Sequence, residues 1–222
     1  MNKCNPGFLC GIFLTLGSLN LKAQENVTTE IHPKEVKSLT GKIWMDRNLG
    51  ASQVATSSRD KASFGYLYQW GRSSDGHQKR SSFTSKRLAK TTIPANDMFI
   101  ISTKFPTDWV KTQNADLWQG ATGFNNPCPT GFRLPTAEEF DEEIATWKTK
   151  NASGAFLSPL KLPLTGYRTN SDGKVTDSGY NGDYWTSTTS ESYSKGLYFD
   201  EKSAATDAGG RGVGVAVRCI KN

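Results

Sequence analysis

"NNPCPTGFRLPTAEEF", residues 125–140, holds a cysteine between two prolines just ahead of a helix start. How Cys128 is read decides the rest. A nucleophile or a metal ligand would make the chain an enzyme candidate, whereas a disulfide would make it a stapled scaffold. The other cysteines narrow the choice. Near the start, Lys3 precedes an apolar run of about 14 residues, "FLCGIFLTLGSLNL" (8–21), and Ala23 is a small residue suited to cleavage. A membrane-spanning helix needs about 20 residues, so residues 1–24 are expected to be the signal peptide of an exported protein. Most of the apolar run lies after Cys10, whereas a lipidated cysteine follows such a run, so lipidation is not expected. Cleavage near Ala23 or Gln24 removes Cys4 and Cys10 and leaves Cys128 and Cys219.

An even count in an oxidising compartment argues for one disulfide. In "GVGVAVRC" (212–219), Val213, Val215, Val217 and Cys219 share one face by period-two alternation, so Cys219 points where the valines point. A thiol buried among valines is a poor nucleophile, because burial disfavours the thiolate. Cys128 has no HxC or CxxC neighbour, and the chain holds only two histidines, which argues against zinc. Cys128 and Cys219 therefore read as a staple. It would close a loop of about 90 residues, worth roughly 4–5 kcal/mol in the chain-entropy description.

With 222 residues the chain has room for one large or two small domains. Plentiful Tyr, Trp, Phe and Gly, with turn pairs such as Asp75-Gly76 and Asp172-Gly173, fit a loop-rich exported fold better than a helical bundle. The formal charge of +6 falls to +4 once Lys3 and Lys22 are removed, since no acid precedes Glu25. So mild an excess does not make a nucleic-acid binder.

Residues 25–37 read as a polar linker or a short lead-in strand, and the domain proper as 38–222. Strands are expected in "KIWMDRNLGA" (42–51), turning at Gly50, and in the aromatic "FGYLYQWG" (64–71). Residues 72–96 read as a long loop in which Arg72, Lys79, Arg80, Lys86, Arg87 and Lys90 face Asp75 alone. Such a loop is either simply solvated or a contact surface for an acidic partner. "DMFIIS" (97–102) is a short apolar strand or buried turn, and 108–120 shows no clear period. The clearest helix is 136–147. Thr136 and Glu139 form a capping box, and Phe140, Ile144 and Trp147 share one face. Glu138, Glu139, Asp141, Glu142 and Glu143 read as a solvated face near the positive helix N-terminus. Residues 160–168, 183–188, 195–201 and 212–220 read as strands. "GGRGVG" (209–214) runs straight into a strand, so it is no phosphate loop. "NSDGKVTD" (170–177) lacks a bidentate Glu and reads as a hairpin with an Asp-Gly turn rather than a calcium loop.

Six segments, "GKIWMDRNLGA", "GYLYQWGR" with "DGH", "NNPCPTGFRLPTAEEF", "LPLTGYR", "YWTST" and "GVAVRCIKN", resemble in order the Fibrobacter succinogenes major paralogous domain (FISUMP). This is a domain of exported bacterial proteins frequent in Bacteroidetes, and the resemblance covers about residues 38–222. "GFRLPTAEEF" is also similar to a segment of the formylglycine-generating sulfatase-modifying family. Both resemblances imply an α+β, C-type-lectin-like fold with short antiparallel strands, one clear helix and long loops. In that fold a cysteine ahead of a helix pairs with one in the last strand and draws the chain ends together, and Cys128 and Cys219 match those positions. Activity does not carry over. The sulfatase-modifying enzymes use a close cysteine pair near the C-terminus, where only Cys219 stands here. The "EPN", "QPD" and "WND" motifs of calcium-dependent lectins do not occur.

The resemblance implies ligand contact at the loops between the last strands, roughly 166–183. Tyr167, Arg168, Asn181, Asp183 and Trp185 are the candidate ligand-binding residues, with aromatic faces for sugar rings and polar groups for hydrogen bonds. The alternative is that Tyr167 and Trp185 are core aromatics. The expected function is a non-catalytic binding module for a glycan or surface protein, without cofactor, metal or nucleic-acid partner. A structural or tip subunit of a surface assembly is the alternative, and a sulfatase-modifying-type enzyme the weakest reading. His32 and His77 lie in polar segments, and no Ser-His-Asp or Cys-His arrangement emerges.

Overall fold

The capping box expected at Thr136 forms as read. Thr136 Oγ1 accepts from the Glu139 N–H at 3.2 Å, and Glu139 Oε2 accepts from the Thr136 N–H at 2.8 Å. They open α1 (Ala137–Thr146), in a computed structural model that describes residues 34–222. The expected signal peptide, with Cys4 and Cys10, and His32 lie outside the described residues. Phe140 and Ile144 are buried on the inner face of the helix, and Trp147, the extended C-cap residue just past its end, is buried as well.

The described residues form a mixed α+β fold of many short strands, one major helix and long loops. In one antiparallel sheet β1 (Glu35–Lys37) lies beside β2 (Ile43–Met45), then β13 (Ile220–Lys221), then β6 (Phe132–Arg133). The first and last strands thus sit in the same sheet, and a Lys221–Glu35 ion pair of 2.7 Å joins them. A second sheet runs β3 (Tyr68–Gln69), β12 (Gly214–Val215), β7 (Tyr167–Arg168) and β8 (Val175–Thr176). The third sheet has the longest strands, β9 (Gly182–Ser190), β10 (Tyr193–Phe199) and β11 (Ala204–Gly210), with β10 in the centre. A parallel pair, β4 (Thr84–Ser85) and β5 (Phe99–Ile100), and a short α2 (Ala152–Leu157) complete the fold.

Residues 214–221 stitch the sheets together. After β12 the chain forms a parallel bridge between Ala216 and Tyr184 of β9, accepts at its Val217 and Cys219 carbonyls from the Leu49 and Met45 N–H groups, and ends in β13. Its alternation divides two cores. Val215, Val217 and Cys219 pack with Trp70, Trp109 and Trp118, while Ala216 and Ile220 pack with Phe140, Trp147 and Tyr184. Cys219 is fully buried and bonded to Cys128, with the two Cα atoms 6.0 Å apart and 91 positions separating them in sequence.

Several segments differ from the sequence reading. The strand expected over 64–71 shrinks to Tyr68–Gln69, because Gly71 turns the chain at φ +79° where a Cβ would strike Leu117. Of 160–168 only Tyr167–Arg168 joins a ladder. Pro163 has no N–H to offer, although Leu160, Leu162 and Leu164 are all buried. The segment read as linker or lead-in strand contributes β1. Helix α2 and strand β11 were not anticipated. The acidic face of α1 is only partly solvated. Glu139 makes a two-point pair with Arg133, each contact 2.8 Å, and the enclosed Glu143 accepts from Thr40 at 2.7 Å.

The loop over 72–96 is the larger correction. Arg72 is fully buried and donates to Asp75, Gln69 and the carbonyls of Asn96 and Met98. His77 is also fully buried. Its Nε2 accepts from the Gln69 N–H at 3.1 Å, and its Nδ1 lies 2.6 Å from Asp75. Lys79, Lys86, Arg87 and Lys90 remain exposed.

Candidate functional site

The third sheet has two different faces. Alternation along β9 and β10 sends Tyr184, Leu197 and Phe199 to the core under α1. Asp183 and Trp185 of β9 point the other way. Register sets Tyr198 of β10 beside Asp183, and Trp185, Gly196 and Asp207 in one row across the three strands. Gly196 therefore leaves the centre of this face without a side chain. Gly209 of β11 widens the gap, since a Cβ there would stand 3.4 Å from the Trp185 ring. The result is a depression of about 250 Å³, walled by Tyr167 and Val215 of the second sheet and by Val213 just before β12.

Trp185 is a core aromatic, as the alternative reading had it, and its buried ring forms the floor. Only 2% exposed, its indole N–H donates to the Tyr68 carbonyl at 2.8 Å, so the ring is fixed from below. Tyr167 reaches the rim because the chain turns sharply before it at Gly166. There φ is +62° and a Cβ would lie 2.3 Å from the Thr176 carbonyl. Tyr167 and Tyr198 are both partly buried and keep access to solvent.

The electrostatics of the depression are those of an acid without a partner. Asp183 Oδ2 is enclosed and receives no hydrogen bond. Burial, then the nearby Asp177 charge, pushes its carboxyl up to about 7. The Tyr198 phenol is pushed up to about 12 by burial and by Asp200, to which it donates at 3.0 Å, with smaller contributions from Asp183 and Asp177. Tyr167 is raised by burial and by the Asp177 and Asp183 carboxylates. Among the described residues no Lys, Arg or His lines the depression.

Three of the five sequence-derived residues, Tyr167, Asp183 and Trp185, thus meet in one place. The other two do not line it. Arg168 is 3% exposed, and its guanidinium donates to Ser82 Oγ and O, Gly173 O and Lys79 O while lying 4.3 Å from the Phe99 ring centre. It ties loops together, with four of its five N–H groups engaged by those loops. Asn181 closes a turn, its N–H donating to Asp177 O and its carbonyl accepting from Gly166. The sequence reading missed Gly196, Tyr198, Asp207 and Gly209. The first two were within reach, because "KGLYF" alternates apolar Leu197 and Phe199 against Gly196 and Tyr198.

Among the described residues no group of three or more His, Cys, Asp or Glu could hold a metal ion, and no helix is long and apolar enough to cross a membrane. His77 does not approach the depression, and its Nε2 is occupied by a backbone N–H, which leaves the ring no free nitrogen for base chemistry. No protein-family profile, curated protein or solved structure matches this chain.

Proposed function

We propose that the protein is an exported, non-catalytic binding module with a C-type-lectin-like fold, and that a saccharide is its ligand. The carrying observation is the depression on the third sheet, where a rigid Trp185, two accessible tyrosines and an unsatisfied carboxylate oxygen converge. Tyr167 and Tyr198 offer ring faces for the C–H edges of a sugar, and the Asp183 carboxylate offers an acceptor for its donors. The volume suits one ring better than a drug-sized molecule, which takes upwards of about 300 Å³. The lectin-like assignment is supported by the Cys128–Cys219 bond, which links the segment before α1 to the last stretch of chain, and by the pairing of β2 with β13.

A screen of immobilised saccharides tests this reading, with Gly209→Leu as the blocked control. The added side chain would fill the depression from β11, where only the Trp185 ring stands close. Binding by the wild type and loss in the variant, at unchanged melting temperature, is the expected result. Equal binding by both would move the site elsewhere.

A second reading, a subunit of a surface assembly, draws on the adjacent Phe105 and Tyr193, 71% and 37% exposed with ring centres 6.1 Å apart. Co-purification with other surface proteins through that pair would favour it.

A further inference from the structure

We infer that the sugar held in this depression carries a free, protonated amino group, which meets the Asp183 carboxylate. The inference rests on the saccharide reading above and adds the ligand's charge. Asp183 lines the depression with Oδ2 enclosed and unpartnered, so the charge Oδ2 shares with the oxygen facing the depression is costly until a ligand meets that oxygen. A hydroxyl would satisfy the oxygen. An ammonium would satisfy it and neutralise the charge as well.

The surroundings favour the cation. Asp207 lies on the same face across the sheet, and Asp177 adds its field from the turn after β8. Facing Asp183 from the neighbouring elements are Tyr167 of β7, Tyr198 of β10 and Asp207 of β11, and nothing basic lines the site. An anionic sugar would meet carboxylates and the electron-rich faces of aromatic rings. A cation gains from both. This occurs in a chain with 27 basic and 21 acidic residues, so the acidic lining runs against the composition.

Width argues for a sugar ring as the carrier of the amine. Adjacent strands lie about 4.8 Å apart, so the face from β9 to β11 spans about 10 Å. With no side chain at Gly196 between the outer strands, that leaves space for a pyranose ring and more than a lysine stem would fill.

Calorimetric titration of the full chain with glucosamine and galactosamine oligomers, each beside its N-acetylated counterpart, tests the inference. The amino form should bind about ten- to a hundredfold tighter than the acetylated form. Asp183→Asn, which keeps the shape and removes the charge, should take away most of that preference, so that the affinities of the amino and acetylated forms converge. In the wild type the preference should shrink as pH falls below about 7, where Asp183 takes up its proton. If Asp183→Asn fails to fold, this pH series decides alone. Equal or tighter binding of the acetylated oligomers would overturn the amine while leaving the saccharide reading intact. Binding of none would remove both. Tetralysine binding as tightly as the amino oligomers would overturn the sugar as the amine's carrier.

Discussion

Replacing Asp183 by Asn should stabilise the fold at alkaline pH and change little at acid pH. In the folded protein burial and the Asp177 charge lift the Asp183 carboxyl from its ordinary 3.8 to about 7. In the unfolded chain it ionises near the ordinary value. Between those values the folded state holds a proton that the unfolded state has released. Stability therefore falls as pH rises from about 4 to about 7, and the loss is complete above that. The interval between 3.8 and about 7, at about 1.4 kcal/mol for each pH unit, corresponds to about 4 kcal/mol. Partial exposure of the side chain brings this to about 2–4 kcal/mol.

Urea unfolding of wild type and variant, at about pH 4 and about pH 8, measures the difference directly. At the acid end Asp183 is protonated and resembles the amide in size and charge, so the two curves should nearly coincide. At the alkaline end the variant should be more stable by the amount above, with an unchanged slope against denaturant. The same offset at both pH values would refute the reasoning, because it would mean that the ionised carboxylate costs the fold nothing. A variant less stable only at alkaline pH would point to a donor for Oδ2.

Other consequences are open to measurement. Arg168→Ala leaves the carbonyls of Lys79, Ser82 and Gly173 without their donor, and should cost at least about 3 kcal/mol in thermal or urea melts; Lys should not restore it, since one ammonium cannot replace the fork. Trp147→Ala removes a nearly enclosed ring that lies edge-on to Phe199 at 5.9 Å, and should cost about 3–5 kcal/mol; an unchanged melting temperature would mean the ring is not packed. Native unreduced protein should take up no thiol label at Cys128 or Cys219, and reduction should lower stability by about 4–5 kcal/mol for a loop of this length.

Local signals were legible in the sequence wherever one short-range rule acts alone. The Thr136 cap, the face of Phe140, Ile144 and Trp147, and the Val215, Val217, Cys219 alternation all reappear in the packing. The hairpin over 170–177 also forms, with Tyr167–Arg168 against Val175–Thr176. What stayed hidden depends on partners distant in sequence. "AATDAGG" has poor strand propensity and becomes β11 only because β10 offers a full seven-residue edge. The depression was half visible for the same reason. Asp183 and Trp185 stand on a strand that reads as one, whereas Asp207 and Gly209 stand on a strand made by its neighbour.

The basic residues show why a run of charge in the sequence does not by itself mark a contact surface. Arg72, Arg168, Arg211 and Arg218 are each 3% exposed or less. Among the described residues only Arg72 of these has a carboxylate partner, Asp75 at 2.6 Å. The other three end largely on backbone carbonyls: Arg211 on those of Asn114, Glu191 and Tyr193, Arg218 on those of Met45 and Leu160. Loops too irregular to pair their own carbonyls obtain donors this way, and one planar fork can serve several carbonyls at once. A cation consumed inside the fold in this manner does not advertise itself to a partner. It follows that the formal excess of +6 overstates what the surface presents only slightly, since Asp108, Glu139 and Glu143 are buried along with the four arginines. It also follows that Asp177, Asp183 and Asp207, none of which forms an ion pair among the described residues, can set a negative local field in a chain that is basic as a whole.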